Sequence, residues 1–292
     1  MSDINIRVAG HAGRITLTRP KALNALTYDM CLAIDAALKD WAGNDNVRLV
    51  VIDAEGEKAF CAGGDIAEMY YTGTKGNYDY GRKFWRDEYR MNARISEYPK
   101  PVVGFLQGFT MGGGVGVGCH GSHRVVGESS QISMPEAGIG LVPDVGGSLL
   151  LALAPGRLGE YLGITAARMN AGDAVFAGFA DHFIPEDQWP ALIAALEETG
   201  DAAQLEARVH TMASELADGA IDRLGSRCTP LGERALATPR VVAEGELQWL
   251  DIASDAAFDR IELALGGVVF GLCRAQGSDS DWLLWRIRGG VA

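Results

Sequence analysis

The chain predicts an α/β core followed by a helical C-terminal part. Strand-like runs alternate with helix-periodic segments from about residue 5 to residue 184. One run, Val47 to Ile52 (VRLVVI), is β-branched and bounded by polar residues, as in a parallel strand buried on both faces. After Pro185 an Ala- and Leu-rich helical pattern takes over. A boundary is therefore placed between an α/β core, residues 1–188, and a helical region, residues 189–292.

Asn5 to Val8 and Arg14 to Leu17 read as two strands, with Gly10 and Gly13 in the turn between them. Thr27 is a good N-cap, and Met30, Ile34, Leu38 and Trp41 recur at helical spacing until Gly43 and Asn44 stop the helix. Past the Val47 to Ile52 strand, Lys58 to Asp65 reads as a loop and Ile66 to Tyr70 as the first turn of a helix. Tyr71 to Tyr80 is a loop, and Arg82 to Ile95 a helix with Phe84, Met91 and Ile95 available for a buried face. Pro101 leads into the strand Val102 to Leu106. Within the densest glycine region a helix starts at Gly112 to Gly114 and runs to His120. Glycine lowers helix propensity by up to ~1 kcal/mol against alanine, so glycines there must serve close packing or close backbone approach. His123 to Val126 and Gln131 to Met134 are strands, and Gly146 to Leu153 and Arg157 to Thr165 helices. Asp173 to Ala177 is a short helix and Asp181 to Ile184 a last strand.

With 292 residues, 48% of them hydrophobic, the chain can bury a large core. A net charge of −12 argues against nucleic acid and anionic membranes, whose binding is driven by phosphate electrostatics. The five cysteines are widely spaced, without metal-ligand or CxxC spacing, and read as buried free thiols in a reducing compartment. No metal is expected. The N-terminal MSDINIRVAG lacks a basic region followed by an apolar one, and no stretch approaches the ~20 apolar residues of a membrane span. A cytoplasmic location with no membrane partner is the expectation.

Four segments carry the chemistry: Ala59 to Ile66 (AFCAGGDI), Gln107 to Gly114, Met134-Pro135-Glu136, and Pro143 to Gly147. Both glycine segments sit where a strand hands over to a helix, and the first N–H groups of a helix lack intrahelical partners. Two such groups aimed at one point make an oxyanion hole. Tight turns that only pack strand against helix are the alternative. Gly116 to Gly121 matches GxGxxG, but it falls inside the helix that Gly112 to Gly114 begins, the wrong place for a pyrophosphate. Glu136 and Asp144 stand eight residues apart, one after a strand and one before a helix, and can face one cleft. A carboxylate beside a polarised carbonyl can act as nucleophile or as general base for water. Against this, Asp144 could be a helix N-cap and Glu136 a surface acid, although its apolar flanks oppose free solvent.

Taken together, AFCAGGDI, TMGGGVG and Lys21-Ala22-Leu23-Asn24-Ala25-Leu26 resemble the crotonase superfamily, the enoyl-CoA hydratase/isomerase family, over about Ile6 to Ile184. The resemblance implies a crotonase-like spiral of ββα units and an acyl-CoA substrate, so that coenzyme A is part of the substrate and no separate cofactor is needed. It implies CoA binding through Lys21, Ala22 and Leu23 and through Ala62, Gly63, Asp65 and Ile66. It implies an oxyanion hole from the N–H groups of Gly64 and Gly113, and a homo-oligomer, a trimer or a hexamer. Within the family, MPEAGIGLVPDVGG, Gly156 to Gly159 and Ala177-Gly178 with Asp181-His182-Phe183 resemble its thioester hydrolases of short branched 3-hydroxyacyl groups. By that likeness Glu136 and Asp144 are the catalytic acids and Glu88 contacts substrate. By its own surroundings Glu88 reads as a solvated helix face. Hydratases of the family carry a glutamate two residues after the glycine triplet, where this chain has Gly116. Hydration or isomerisation of an enoyl-CoA, and CoA binding with impaired turnover, are the alternatives. The family's hydrolases end in further helices, so the C-terminal region is expected to be shortened.

Overall fold

In a computed structural model, residues 3–209 and four strands between residues 248 and 289 are described. Strands β1 (Ile4–Ala9) and β2 (Ala12–Leu17) pair antiparallel, and Gly10 turns between them at φ +54°, where an L side chain is strained. Helix α1 (Tyr28–Ala42) starts as expected: the Thr27 side chain accepts from the Met30 N–H. It lays Met30, Ile34, Leu38 and Trp41 into the core.

Three strand pairs then follow. They are β3 (Leu49–Ala54) with β4 (Ala59–Cys61), β5 (Val102–Phe105) with β6 (Phe109–Met111), and β7 (His123–Val126) with β8 (Gln131–Ser133). Helices α2 (Ala67–Gly73) and α3 (Asp79–Ser96) follow the first pair, and α4 (Gly113–Gly118) the second. After the third come α5 (Gly147–Leu153), α6 (Leu158–Thr165), α7 (Ala171–Phe176), the short strand β9 (His182–Phe183) and α8 (Trp189–Thr199).

Each pair gives one strand to each of two sheets. The first sheet has the order β1-β2-β3-β5-β7-β9, parallel from β2 onward; the second is β4-β6-β8, all parallel. This is the ββα repeat that the resemblance implies. Strand β3 is buried on both faces, as its sequence predicts. Val50 and Ile52 join the main core with α1, while Leu49 and Val51 pack with Phe105, Trp189, Leu192 and Leu196 under α8.

Strand β4 corrects the loop expected over Lys58 to Asp65, and β6 lies in the glycine-rich stretch where no strand is expected. Three residues are too few to show alternation, and Gly108 hides the approach to β6. Helix α2 also runs to Gly73 and α3 begins at Asp79, which shortens the loop expected over residues 71–80. Helix α8 opens the C-terminal region as expected. Farther on, however, β10 (Gln248–Ser254), β11 (Phe258–Leu265), β12 (Val268–Ala275) and β13 (Leu283–Gly289) form an antiparallel sheet in chain order, not helices. Composition masked the period: Ile261, Leu263 and Leu265 alternate with Arg260, Glu262 and Ala264. The pair Leu265 and Val268 stand opposite each other across Gly266-Gly267, a two-residue hairpin signal in the sequence.

Cys31, Cys61 and Cys119 are free and buried; Cys228 and the Cys273 side chain lie outside the described residues. No described helix is long and apolar enough to cross a membrane.

Candidate active site

The small sheet gathers the site. Its parallel strands end side by side: β4 runs on to Gly63-Gly64, β6 to Gly112-Gly113, and β8 to Pro135-Glu136. Carboxyl ends of parallel strands are where α/β sheets place ligand-binding loops. Gly63 and Gly112 hold φ +116° and +51°, turns that favour glycine. The two turns face each other: a Cβ built on Gly113 would lie 2.9 Å from the Gly64 nitrogen. On Gly114 a Cβ would overlap the Cys61 carbonyl, so the α4 glycines serve close approach to the end of β4. Neither the Gly64 nor the Gly113 N–H has an acceptor among the described residues. Two free donors this close can share one oxygen that gains negative charge.

Three carboxylates border this cradle. Glu88 lies on α3 in the stripe Phe84, Glu88, Met91, Asn92 and Ile95, and is 3% exposed. It is not the solvated acid that its charged neighbours suggest. The missed signal was spacing, because Phe84, Glu88, Met91 and Ile95 fall at i, i+4, i+7 and i+11. Glu136 is 6% exposed, which removes the surface-acid alternative. Its Oε1 lies 2.9 Å from a Cβ built on Gly112, and its buried Oε2 has no partner. Asp144 accepts a 2.6 Å hydrogen bond from the Tyr89 hydroxyl. It is not an N-cap: Gly146 caps α5, with no side-chain bond there. The structure thus brings Gly64, Gly113, Glu88, Glu136 and Asp144 together.

Burial raises all three acids, because it penalises the charged form. Glu88 is pushed up to about 8 by burial and then by the charges of Asp144 and Glu136. Burial, with a smaller contribution from Asp144, pushes Glu136 up to about 7. Asp144 is raised by burial against the opposing Tyr89 hydrogen bond. The acids titrate as a coupled set, and burial with mutual repulsion opposes full ionisation at neutral pH.

A stability prediction follows from Glu88. Its folded-state value lies above its unfolded one, so its contribution is fully present below about 4.5 and is lost as pH rises through about 8. Glu88→Gln is expected to gain on the parent by on the order of 3–5 kcal/mol between pH 5 and pH 9. Thermal melts across that range check it; parallel curves for the two proteins would contradict it.

The turn carrying Asp144 is strained. Val145, β-branched and 2% exposed, holds φ +47°, and Gly146 holds φ +78°. A non-glycine residue in that region costs of order 1–3 kcal/mol and persists only when its surroundings hold it. His120 Nε2 lies 2.7 Å from the Val145 carbonyl, and Asn92 Nδ2 donates to the same oxygen at 3.4 Å. Asn92 and Val145 also wall off position 116, where a Cβ on Gly116 would come within 2.7 Å of Asn92 Nδ2 and 2.9 Å of Val145 Cβ. GxGxxG begins inside α4, as its placement predicts, but α4 ends at Gly118 and not at His120, so the motif runs past the helix.

The two segments expected to hold CoA are zipped together. Ala62 N–H donates to Leu23, Leu26 N–H to Gly63 and Asp65 N–H to Leu26. Lys21, Ala22 and Ile66 are exposed, while the Asp65 carboxylate is occupied by Arg19 at 3.1 Å and by the Ala67 N–H. Asp65, half-buried, thus also shapes the loop. Sequence reasoning missed Arg19 and Asn24. Buried Asn24, itself at φ +53°, donates to the Glu55 and Ala59 carbonyls and fixes the turn. It also missed Tyr89, Asn92 and His120, which have no motif of their own.

A ββα spiral with two glycine turns at the ends of its inner strands defines the class. The chain belongs to the enoyl-CoA hydratase/isomerase family, whose sequence profile matches residues 12–230, past the boundary drawn at 188. It is 45% identical over 187 residues to the mitochondrial 3-hydroxyisobutyryl-CoA hydrolase of Danio rerio, covering 64% of this chain and 49% of that one. For the Xenopus tropicalis protein of that name the identity is 46% over 184 residues, 63% of this chain and 48% of that one. The chain spans about half the length of these curated relatives. Among solved structures, an enoyl-CoA hydratase from Rhodobacter sphaeroides 2.4.1 is 57% identical with a TM-score of 0.75, covering 82% of this chain and 71% of that one. A carnitinyl-CoA dehydratase from Mycobacterium thermoresistibile is 40% identical with a TM-score of 0.72, covering 83% and 68%.

Proposed function

We propose that this protein hydrolyses a short branched 3-hydroxyacyl-CoA thioester, with 3-hydroxyisobutyryl-CoA, a valine-catabolism intermediate, as the substrate to test first. The observation that carries the proposal is the buried, unpartnered carboxylate oxygen of Glu136 beside the Gly112-Gly113 turn. The thioester oxygen accepts from the Gly64 and Gly113 N–H groups, which stabilise the charge it gains in the transition state. Glu136 either attacks the carbonyl carbon itself, forming a mixed anhydride that water then hydrolyses to regenerate the carboxylate, or takes a proton from a water whose oxygen attacks. The carbon–sulfur bond breaks, its electron pair leaves with sulfur, and the Asp144 side passes a proton to the thiolate. One water is consumed, and one acid and one CoA thiol are formed. CoA lies along Lys21 to Leu23 and the loop from Ala62 to Ile66, and the working assembly is a trimer or a dimer of trimers.

The names of the two solved relatives favour a second reading, addition of water to an enoyl-CoA. Position 116 speaks against it, since Asn92 and Val145 leave no room for the glutamate that hydratases carry there. Both readings are decided with one purified sample. Thiol release from 3-hydroxyisobutyryl-CoA is the expected result. Loss of enoyl absorbance from an unsaturated acyl-CoA without thiol release would overturn it, as would CoA binding without any turnover.

A further inference from the structure

The Asp144 turn holds a β-branched residue in the left-handed region, and something outside the turn must keep it there. Within the turn, Gly147 N–H donates to the Asp144 carbonyl at 2.7 Å and Leu149 N–H to the Gly146 carbonyl at 3.0 Å. From outside, two side chains converge on the Val145 carbonyl: His120 at 2.7 Å and Asn92 at 3.4 Å. A carbonyl can only accept, so His120 carries its proton on Nε2. Burial lowers the imidazole pKa and favours its neutral form. A Cβ on Gly146 would come within 2.6 Å of His120 Nε2, so glycine at 146 is what lets the ring approach. His120 stands two residues past the end of α4, the helix that begins with Gly113.

We propose that His120 is a positioning residue: with Asn92 it clamps the Val145 carbonyl, holds the turn in its strained form, and thereby aims the Asp144 carboxylate at the glycine cradle from the far end of α4. The role of Asp144 rests on the hydrolase reading; the clamp does not.

The test is a cycle with Val145→Gly, because glycine adopts the left-handed conformation without strain. His120→Ala is expected to lower kcat by about 30-fold with KM within about threefold, as for a group that orients without binding. His120→Gln, which keeps a donor, should retain kcat within about threefold of the parent. In the Val145→Gly background the further loss from His120→Ala should shrink to about threefold or less, since the strain it opposes is gone. Hydrogen exchange at Gly147 and Leu149 should quicken in His120→Ala and return in His120→Gln, whether or not any thioester is turned over. Glutamine behaving as alanine does, an equal histidine effect in both backgrounds, or unchanged exchange would each overturn the clamp. Absence of thiol release from a parent enzyme with clamp-dependent exchange would count against the hydrolase reading alone.

Discussion

Glu136→Gln is expected to lower kcat for thioester hydrolysis by about 10³-fold or more while CoA affinity stays within about threefold. The substitution keeps shape and volume and removes only the ionisable oxygen. That oxygen is buried with no partner, so no structural hydrogen bond is lost with it. What disappears is a base held at about 7, the range in which a group is both ionised and basic in neutral solution. The sign of the pH dependence follows. The active form is the carboxylate, so kcat/KM of the parent should rise with pH through about 7 and flatten above it. At pH 7 Glu88, held at about 8, remains largely protonated and adds little competing charge. Thiol release and CoA titration on the same variant separate chemistry from binding. Normal turnover in Glu136→Gln would remove Glu136 from the reaction.

The parts of this site legible in the sequence are those whose physics is local. Thr27 is a cap whatever surrounds it, and the β-branched run over β3 reads as doubly buried because its own composition says so. The glycine turns were legible for a similar reason: Gly63 and Gly112 stand where the backbone needs positive φ. Of the inner strands only β8 was legible, as Gln131 to Met134; β4 and β6 were not, because three-residue strands draw their stability from pairing with segments tens of residues away. Tyr89, Asn92 and His120 were invisible for the same reason: each acts on the 144–146 turn from another element. Asp65 shows the same limit. A motif placed it on the CoA loop, while its ion pair with Arg19, 46 residues away in the chain, had no signal in the sequence. Far along the chain, Ala and Leu content outweighed a two-residue period, and strands β10 to β13 were read as helix.

Gly113→Ala is expected to cost about 10²–10³ in kcat, as much as deleting one oxyanion donor outright, although it deletes none. The reason is steric. Its Cβ would stand 2.9 Å from the Gly64 nitrogen, 2.8 Å from Glu88 Oε1 and 3.3 Å from the Gly63 carbonyl carbon. Glu88 can swing aside, but the Gly63-Gly64 backbone cannot without opening the cradle, since that loop is tied to Leu23 and Leu26 by three hydrogen bonds. The two N–H groups must then separate, and hydrogen bonds weaken steeply with lost distance and angle. Gly64→Ala is the control for this geometry. Its Cβ would meet only the Phe84 ring, at 3.9 Å, an ordinary contact, so its melting temperature should stay near that of the parent while Gly113→Ala melts lower. Thiol-release kinetics with thermal melts on both variants decide the matter. A Gly113→Ala enzyme with parental kcat would mean that the two turns do not share one oxygen, and that the reaction draws its electrostatic stabilisation from elsewhere.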